Sequence, residues 1–299
     1  MFRSPLMAAR RPHWIHFLGY LPIQGFLSLS RLLPFRRRID LAASLLGGVV
    51  RYARAPRERV VGNLKRVFPD MSVEDRLAFC RANGRSMGRT IAEILFGPDH
   101  QKHHLPITAD GAGLEHLIAA QKDSRPVILV SAHLGQWDAV RICLREDHQI
   151  EAGALYRPNN NPYYEELFKR GALASGGPLA PRSNEGFRTL VKHLRSGGVF
   201  AILADQHIYT GAWLPFLGHP AQTTLSPAEL ALKYDALLIP AYGLRRAAED
   251  GFDVVFEPPI PPSTPEEMMG QVNDSISTMI QKHPEQWLWL HRRWKKTRT

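Results

Sequence analysis

The run Pro126-Val127-Ile128-Leu129-Val130-Ser131-Ala132 stops abruptly at His133, and after four further residues comes Asp138. The run is short, β-branched and leucine-rich, with no polar side chain before Ser131. That pattern belongs to a strand buried on both faces, the kind found inside parallel sheets covered by helices. Such a strand needs partners, and the chain supplies them. Strand-like runs recur at Ala152–Tyr156, Val199–Asp205, Leu237–Tyr242 and Phe252–Phe256. Helix-like segments fall near residues 113–121, 136–145, 162–174, 185–195, 227–234, 265–282 and 285–294. The alternation predicts an α/β fold: a central, mostly parallel sheet flanked by helices, with 252–256 as an antiparallel edge.

Chemistry gathers where these runs end. Ligands of open α/β sheets bind at the carboxyl ends of the strands. His133 and then Asp138 follow the first run, Tyr156-Arg157 the second, Asp205-Gln206 the third. A carboxylate on one imidazole nitrogen fixes the tautomer and leaves the other free as a base, so Asp138, in the first turn of the following helix, is expected to orient His133. A plainer reading of the spacing is a loop histidine beside an acid favoured by the helix dipole. Arg157 suits an oxyanion or a phosphate, or a structural ion pair with Asp205. Asn161 and Arg182 are expected as polar liners of the site. No Gly-x-Ser-x-Gly elbow is present, which disfavours a covalent acyl-enzyme. No P-loop or dinucleotide-binding fingerprint follows the first run, so no cofactor is expected. No ligand cluster has metal spacing, and His103-His104 reads as a solvated pair.

The segment before residue 57 has a different character. Residues 14–30 contain no Asp, Glu, Lys or Arg, at the short edge of the roughly 20 apolar residues a spanning helix needs. Arginines flank it, and Trp14 stands at its boundary. A short spanning helix, a re-entrant or interfacial helix and a buried hairpin all fit; the flanks favour the membrane interface. Residues 1–56 are therefore expected as membrane-associated helices and 57–299 as the main domain. The formal net charge is +10, with clusters at Arg36-Arg37-Arg38 and Arg292, Arg293, Lys295. Basic chains bind nucleic acid, anionic membranes or acidic partners; no Arg/aromatic nucleic-acid motif supports the first. Two cysteines, Cys80 and Cys143, exclude a disulfide framework and point to a reducing compartment.

The motifs resemble one family in order along the chain. His133-Leu134-Gly135-Gln136-Trp137-Asp138 is similar to the HX4D/E motif of the bacterial lipid A secondary acyltransferases, the lauroyl/myristoyl group related to the glycerolipid acyltransferases. Asn63-Leu64 with Phe68-Pro69 resembles an upstream block, and Tyr156-Arg157-Pro158 with Asn161-Pro162 a second core block. Ala204-Asp205-Gln206, Gly211, Pro215-Phe216 and Gly218 resemble a third. The tail His283 to Lys295 resembles the C-terminal signature. The Pro-Glu-Gly block of the glycerolipid relatives is missing in that form, which favours the lipid A branch.

The resemblance implies an O-acyltransferase at the cytoplasmic face of the inner membrane. Acyl carrier protein would be the donor's carrier, a lipid A precursor the acceptor, and membrane lipids the surroundings; no nucleic acid is implied. It implies His133 as general base with Asp138, and Arg157 at the reacting centre. Asp205, Gln206, Arg292 and Arg293 would contact substrate or shape its site. The alternatives are an acyltransferase of the same fold acting on a glycerophospholipid or glycolipid, and a non-catalytic basic membrane- or nucleic-acid-binding protein.

Overall fold

The computed structural model describes residues 13–100, 105–248 and 250–295. His103-His104 and the basic residues at both chain ends, Arg3, Arg10, Arg11, Lys296 and Arg298, lie outside the described residues. Five helices come first: α1 (His13–Ser30), α2 (Phe35–Tyr52), α3 (Arg54–Val67), α4 (Val73–Leu95) and the single turn α5 (Gly97–His100). Pro69 follows the end of α3. Ser72 caps α4 by accepting the Asp75 N–H at 3.0 Å, as its spacing to Asp75 predicts. The α/β part follows as β1 (Ile107–Asp110), α6 (Ala112–Lys122), β2 (Val127–Ser131), α7 (Ala139–His148), β3 (Ala152–Tyr156), α8 (Pro162–Leu173), β4 (Leu179–Pro181), α9 (Asn184–Arg195) and β5 (Val199–Leu203). It closes with β6 (Ala212–Phe216), β7 (His219–Thr223), α10 (Ser226–Tyr234), β8 (Leu237–Arg245), β9 (Phe252–Phe256) and α11 (Pro265–Lys282).

Seven strands form one sheet in the order β1-β9-β8-β2-β5-β3-β4. All neighbours are parallel except β8 and β9. The expected α/β architecture is the one observed. β9 is antiparallel to β8 as expected, but β1 pairs outside it, so it is not the edge. β2 is buried at every position and sits between β5 and β8, as its continuous apolar pattern requires. One apolar cluster fills the face built by β2, β5, α9, α10 and α11; a second lies opposite, under α6 and α7.

Besides the short strands β1 and β4, which no expected run covers, two features depart from the sequence pattern. A β6–β7 hairpin stands beside the main sheet, in a stretch where no strand is expected. The helix expected at 285–294 is not formed: after a single turn at Pro284–Gln286 the chain is irregular or extended. The physical reason lies in its backbone partners. The Asn83 side-chain amide donates to the carbonyls of Glu285 and Trp287 at 2.9 and 2.6 Å, and that of Asn63 to the carbonyls of Trp289 and His291 at 2.7 and 2.9 Å. Alternate carbonyls are thus claimed from outside, and Trp287 and Trp289 are both fully buried, a period of two rather than 3.6.

α2 lies along α4. At Gly84 an added Cβ would stand 2.7 Å from the Leu46 carbonyl oxygen, so glycine permits this approach. α2 buries Phe35, Ile39, Ala43, Gly47 and Val50 and leaves Leu41, Leu45, Val49 and Tyr52 exposed as a second stripe. α1 exposes Trp14, Phe17, Leu18, Leu21 and Leu29. Among the described residues no helix is long and apolar enough to cross a membrane.

Candidate active site

β2 and β5 are adjacent and parallel, with Ser131 opposite Leu203. Two residues beyond each partner stand His133 and Asp205, and the register sets them side by side. The His133 Nδ1 lies 2.8 Å from Asp205 Oδ1, and the His133 backbone N–H donates to Asp205 Oδ2 at 3.1 Å. Trp287 donates its indole N–H to the same Oδ2 at 2.8 Å. Asp205 is buried. Burial pushes its carboxyl upward, but the charge and hydrogen bonds of His133 and the bond from Trp287 outweigh that and hold it at about 2. An ionised carboxylate on Nδ1 requires that nitrogen to carry the proton, which leaves a lone pair on Nε2. The Gln206 amide nitrogen approaches Nε2 at 3.4 Å, a long contact that a hydroxyl can replace. The Trp137 ring stands edge-on to the imidazole at 5.3 Å.

Asp138 is elsewhere. The expectation that it meets the imidazole is not what is found: no hydrogen bond joins it to His133 among the described residues. It sits just before α7 and pairs with Arg141 one turn on, Nη1 to Oδ1 at 2.9 Å, both side chains nearly inaccessible. Arg141 also donates to the carbonyls of Ala152, Ala172 and Gly176. The pair therefore ties the motif loop to β3 and to the end of α8.

The loop between His133 and Asp138 has its own scaffold. Gly135 has φ +59°, and a Cβ there would lie 2.2 Å from the Gly243 carbonyl oxygen on β8, so the turn demands glycine. Gln136 donates to Glu93 at 2.8 Å, and Glu93 forms a buried ion pair with Arg245 at 2.6 Å. Thr90 donates to the Gly135 carbonyl at 2.8 Å. α4 and β8 thus hold the motif from behind.

The remaining expected residues separate into two groups. Arg157 and Arg182 follow the adjacent strands β3 and β4; both are exposed, and neither pairs with a carboxylate among the described residues. The Arg182 N–H donates to the Tyr156 carbonyl at 2.8 Å, which keeps the two positions close. The ion pair considered between Arg157 and Asp205 is not formed. Asn161 and Arg293 instead hold structure. Asn161 caps α8 by accepting the Tyr163 N–H and donates to the His16 carbonyl of α1 at 2.8 Å. Arg293 is fully buried, donates to the Gln222 carbonyl and to Thr223 Oγ1, and packs 4.6 Å over the Phe216 ring. Burial lowers it to about 10, against the raising charge of Asp205. It locks the β6–β7 hairpin to the C-terminal segment and presents no surface to a substrate. Arg292 beside it is exposed.

Sequence reading missed Trp287, Asn83, Asn63, Glu93 and Arg245. Trp287 and Asn63 stand out only as parts of family-like blocks, with no role attached; Asn83, Glu93 and Arg245 lie on a helical face or in a strand where nothing in the spacing marks them.

Residues 8–296 match the family described as "Bacterial lipid A biosynthesis acyltransferase". The lipid A biosynthesis lauroyltransferase of Escherichia coli K12 is 28% identical over 305 aligned residues, covering 98% of this chain and 95% of that protein. The lipid A biosynthesis palmitoleoyltransferase of the same organism is 27% identical, covering 95% and 92%. A phosphatidylinositol mannoside acyltransferase of Mycobacterium tuberculosis is 27% identical over 79% of this chain and 77% of its own length.

Proposed function

Because the chain belongs to the bacterial lipid A biosynthesis acyltransferases, we propose that it transfers a fatty acyl group from the thioester of an acyl carrier protein to a hydroxyl of a lipid A precursor, with His133 as the general base. The observation that carries this reading is the imidazole itself. Its Nδ1 is anchored to an ionised, buried carboxylate, and its Nε2 is turned toward Gln206 with the lone pair free.

The acceptor hydroxyl takes the place beside Nε2 and gives up its proton there. Its oxygen attacks the thioester carbonyl, and a tetrahedral oxyanion forms. The C–S bond then breaks, the thiolate takes the proton back from the imidazolium, and the new ester leaves with the acceptor. Asp205 remains ionised throughout and stabilises the imidazolium, as an orienting carboxylate does. The Gln206 amide and Arg157 are the donors proposed for the oxyanion. Arg157 and Arg182, without a carboxylate partner among the described residues and close at neighbouring strand ends, suit the phosphates of the acceptor.

The donor's carrier and the membrane follow from charge and surface. A net charge of +10 complements an acidic carrier and an anionic leaflet. The exposed stripes of α1 and α2, with Arg31, Arg36 and Arg37 exposed near them, form an apolar surface of the kind that lies in a membrane interface. On this reading the protein sits on the cytoplasmic face of the inner membrane through α1 and α2. Flotation with anionic vesicles is expected to weaken as salt rises from 0.1 M toward 1 M, because screening removes the basic contribution; salt-insensitive binding contradicts an interfacial mode.

The experiment for the activity uses purified protein, a radiolabelled acyl-carrier thioester and three acceptors: a lipid A precursor, a glycerophospholipid and a phosphatidylinositol mannoside. Label is expected in the lipid A precursor, and His133→Gln is expected to lose about 10³-fold or more while remaining folded. Preference for the mannoside favours the second reading, a glycolipid acyltransferase, which the mycobacterial relative supports. Full transfer by His133→Gln overturns the mechanism.

A further inference from the structure

The stretch after α11 builds one wall of the catalytic loop. The Leu288 N–H donates to the His133 carbonyl at 3.0 Å, and the Gly135 N–H donates to the Gln286 carbonyl at 3.0 Å. Leu134 and Trp287 face one another in an isolated antiparallel bridge. Residues more than 150 positions away thus pair with the motif on both sides of Leu134. The backbone register then delivers a side chain. Trp287 is fully buried, wedged among Phe216, Trp289 and Trp294 with ring centroids 5.6, 4.8 and 6.2 Å away. Its one polar atom meets Asp205 Oδ2 at 2.8 Å.

We propose that Trp287 is a positioning residue for the acyl transfer: its indole N–H pins the Asp205 carboxylate against His133, so the C-terminal segment sets the aim and strength of the base. The proposal rests on His133 being that base. With Oδ2 tied to Trp287, the carboxylate plane is set and Oδ1 points at Nδ1. Without the indole N–H, the remaining donors to the Asp205 carboxylate among the described residues both come from residue 133, and the carboxylate can turn with the loop it should hold.

The sign of the electrostatic effect follows from the same bond. The indole stabilises the bare carboxylate more than the carboxylate already neutralised by an imidazolium. Its removal favours the imidazolium, and the acid limb of the rate profile moves to higher pH. Three other groups that feel Asp205, namely His291, Arg293 and Tyr242, keep one predominant charge state through the working range. His291 is pushed down to about 4, chiefly by burial, so it is neutral there. Arg293, at about 10, stays charged. Tyr242 is raised by burial and stays neutral. His207, in the loop after Asp205, is lowered by burial and by the charges of Lys295 and Arg293.

The test replaces Trp287 in two ways in the full chain: Trp287→Phe, and a benzothienyl-alanine isostere that keeps the fused-ring shape but lacks the N–H. Initial rates with the acyl-carrier thioester and the lipid A precursor are followed from pH 5 to 9, with thermal unfolding measured on the same samples. Both variants are expected to raise the acid limb by roughly half to one pH unit and to lower kcat about tenfold with KM little changed. A folded isostere with the native acid limb overturns the proposal, because a packing role alone lowers the rate without moving the profile. His133→Gln on the same assay separates the two readings. If it is inactive while the isostere keeps the native limb, only the role of Trp287 fails. If it is as active as the native chain, the base fails and the proposal falls with it.

Discussion

Asp138 and Asp205 are both buried carboxylates near His133, and they do different work. Asp138 belongs to the histidine's own motif yet faces Arg141, where it joins α7 to β3 and α8. Asp205 is 72 residues away along the chain and meets both the imidazole and the backbone of His133. The difference teaches that spacing along the chain finds the histidine, while register across strands finds its carboxylate partner. β2 and β5 are parallel neighbours in a register that brings positions 133 and 205 level; no count of residues within one loop carries that information.

Substitution at the two sites sharpens the contrast. Asp205→Asn keeps the shape but no longer holds the proton on Nδ1, so transfer is expected to fall about 10³- to 10⁴-fold, as loss of an orienting carboxylate does. Asp138→Asn leaves Arg141 almost inaccessible without its carboxylate. Breaking such a pair costs about 3–5 kcal/mol, read as a lower denaturant midpoint, while the acid limb of the folded fraction stays in place. A displaced acid limb in Asp138→Asn, with Asp205→Asn near native, reverses the assignment.

A smaller effect concerns stability alone. His291 accepts the His207 N–H at 3.0 Å through Nε2 and is held at about 4, first by burial and then by the charges of Arg293 and Lys295, with Asp205 opposing. The unfolded chain takes a proton near pH 6.5 that the folded chain refuses until about pH 4. Stability is therefore expected to decline as pH falls through that window and to level below it. His291→Gln retains an acceptor and removes the titration, so its denaturant midpoint should change less between pH 7 and 4.5. An identical slope in both proteins contradicts this.

Much of the fold is legible because burial on both faces leaves a plain mark. The runs at residues 127–132, 152–156, 199–205, 237–242 and 252–256 are apolar enough to read as strands, and their alternation with helices implies the parallel sheet. β1 and β4 are harder: one has four residues with half-buried and exposed positions alternating, the other three. Pro215 and Pro220 disguise the β6–β7 hairpin, since proline argues against a strand wherever the pairing is unknown. The C-terminal segment reads as helical because Trp, Leu, His and Arg tolerate a helix; the asparagines that hold it extended are on α3 and α4. The site shows the same division. His133 and Arg157 stand just past strand ends, where the apolar runs place them, whereas Arg293, a substrate contact only by the resemblance, is fully buried. Trp287 and the Glu93–Arg245 pair depend on contacts between distant elements.

The contrast between the two aspartates has a direct spectroscopic test. In protein labelled with ¹⁵N-histidine, the Nδ1–H of His133 hydrogen-bonded to a carboxylate gives a downfield proton resonance, assigned by its loss in His133→Gln. The resonance is expected to persist in folded Asp138→Asn and to vanish or move sharply upfield in Asp205→Asn. Its persistence in Asp205→Asn together with its loss in Asp138→Asn contradicts the account and returns the histidine's partner to its own motif.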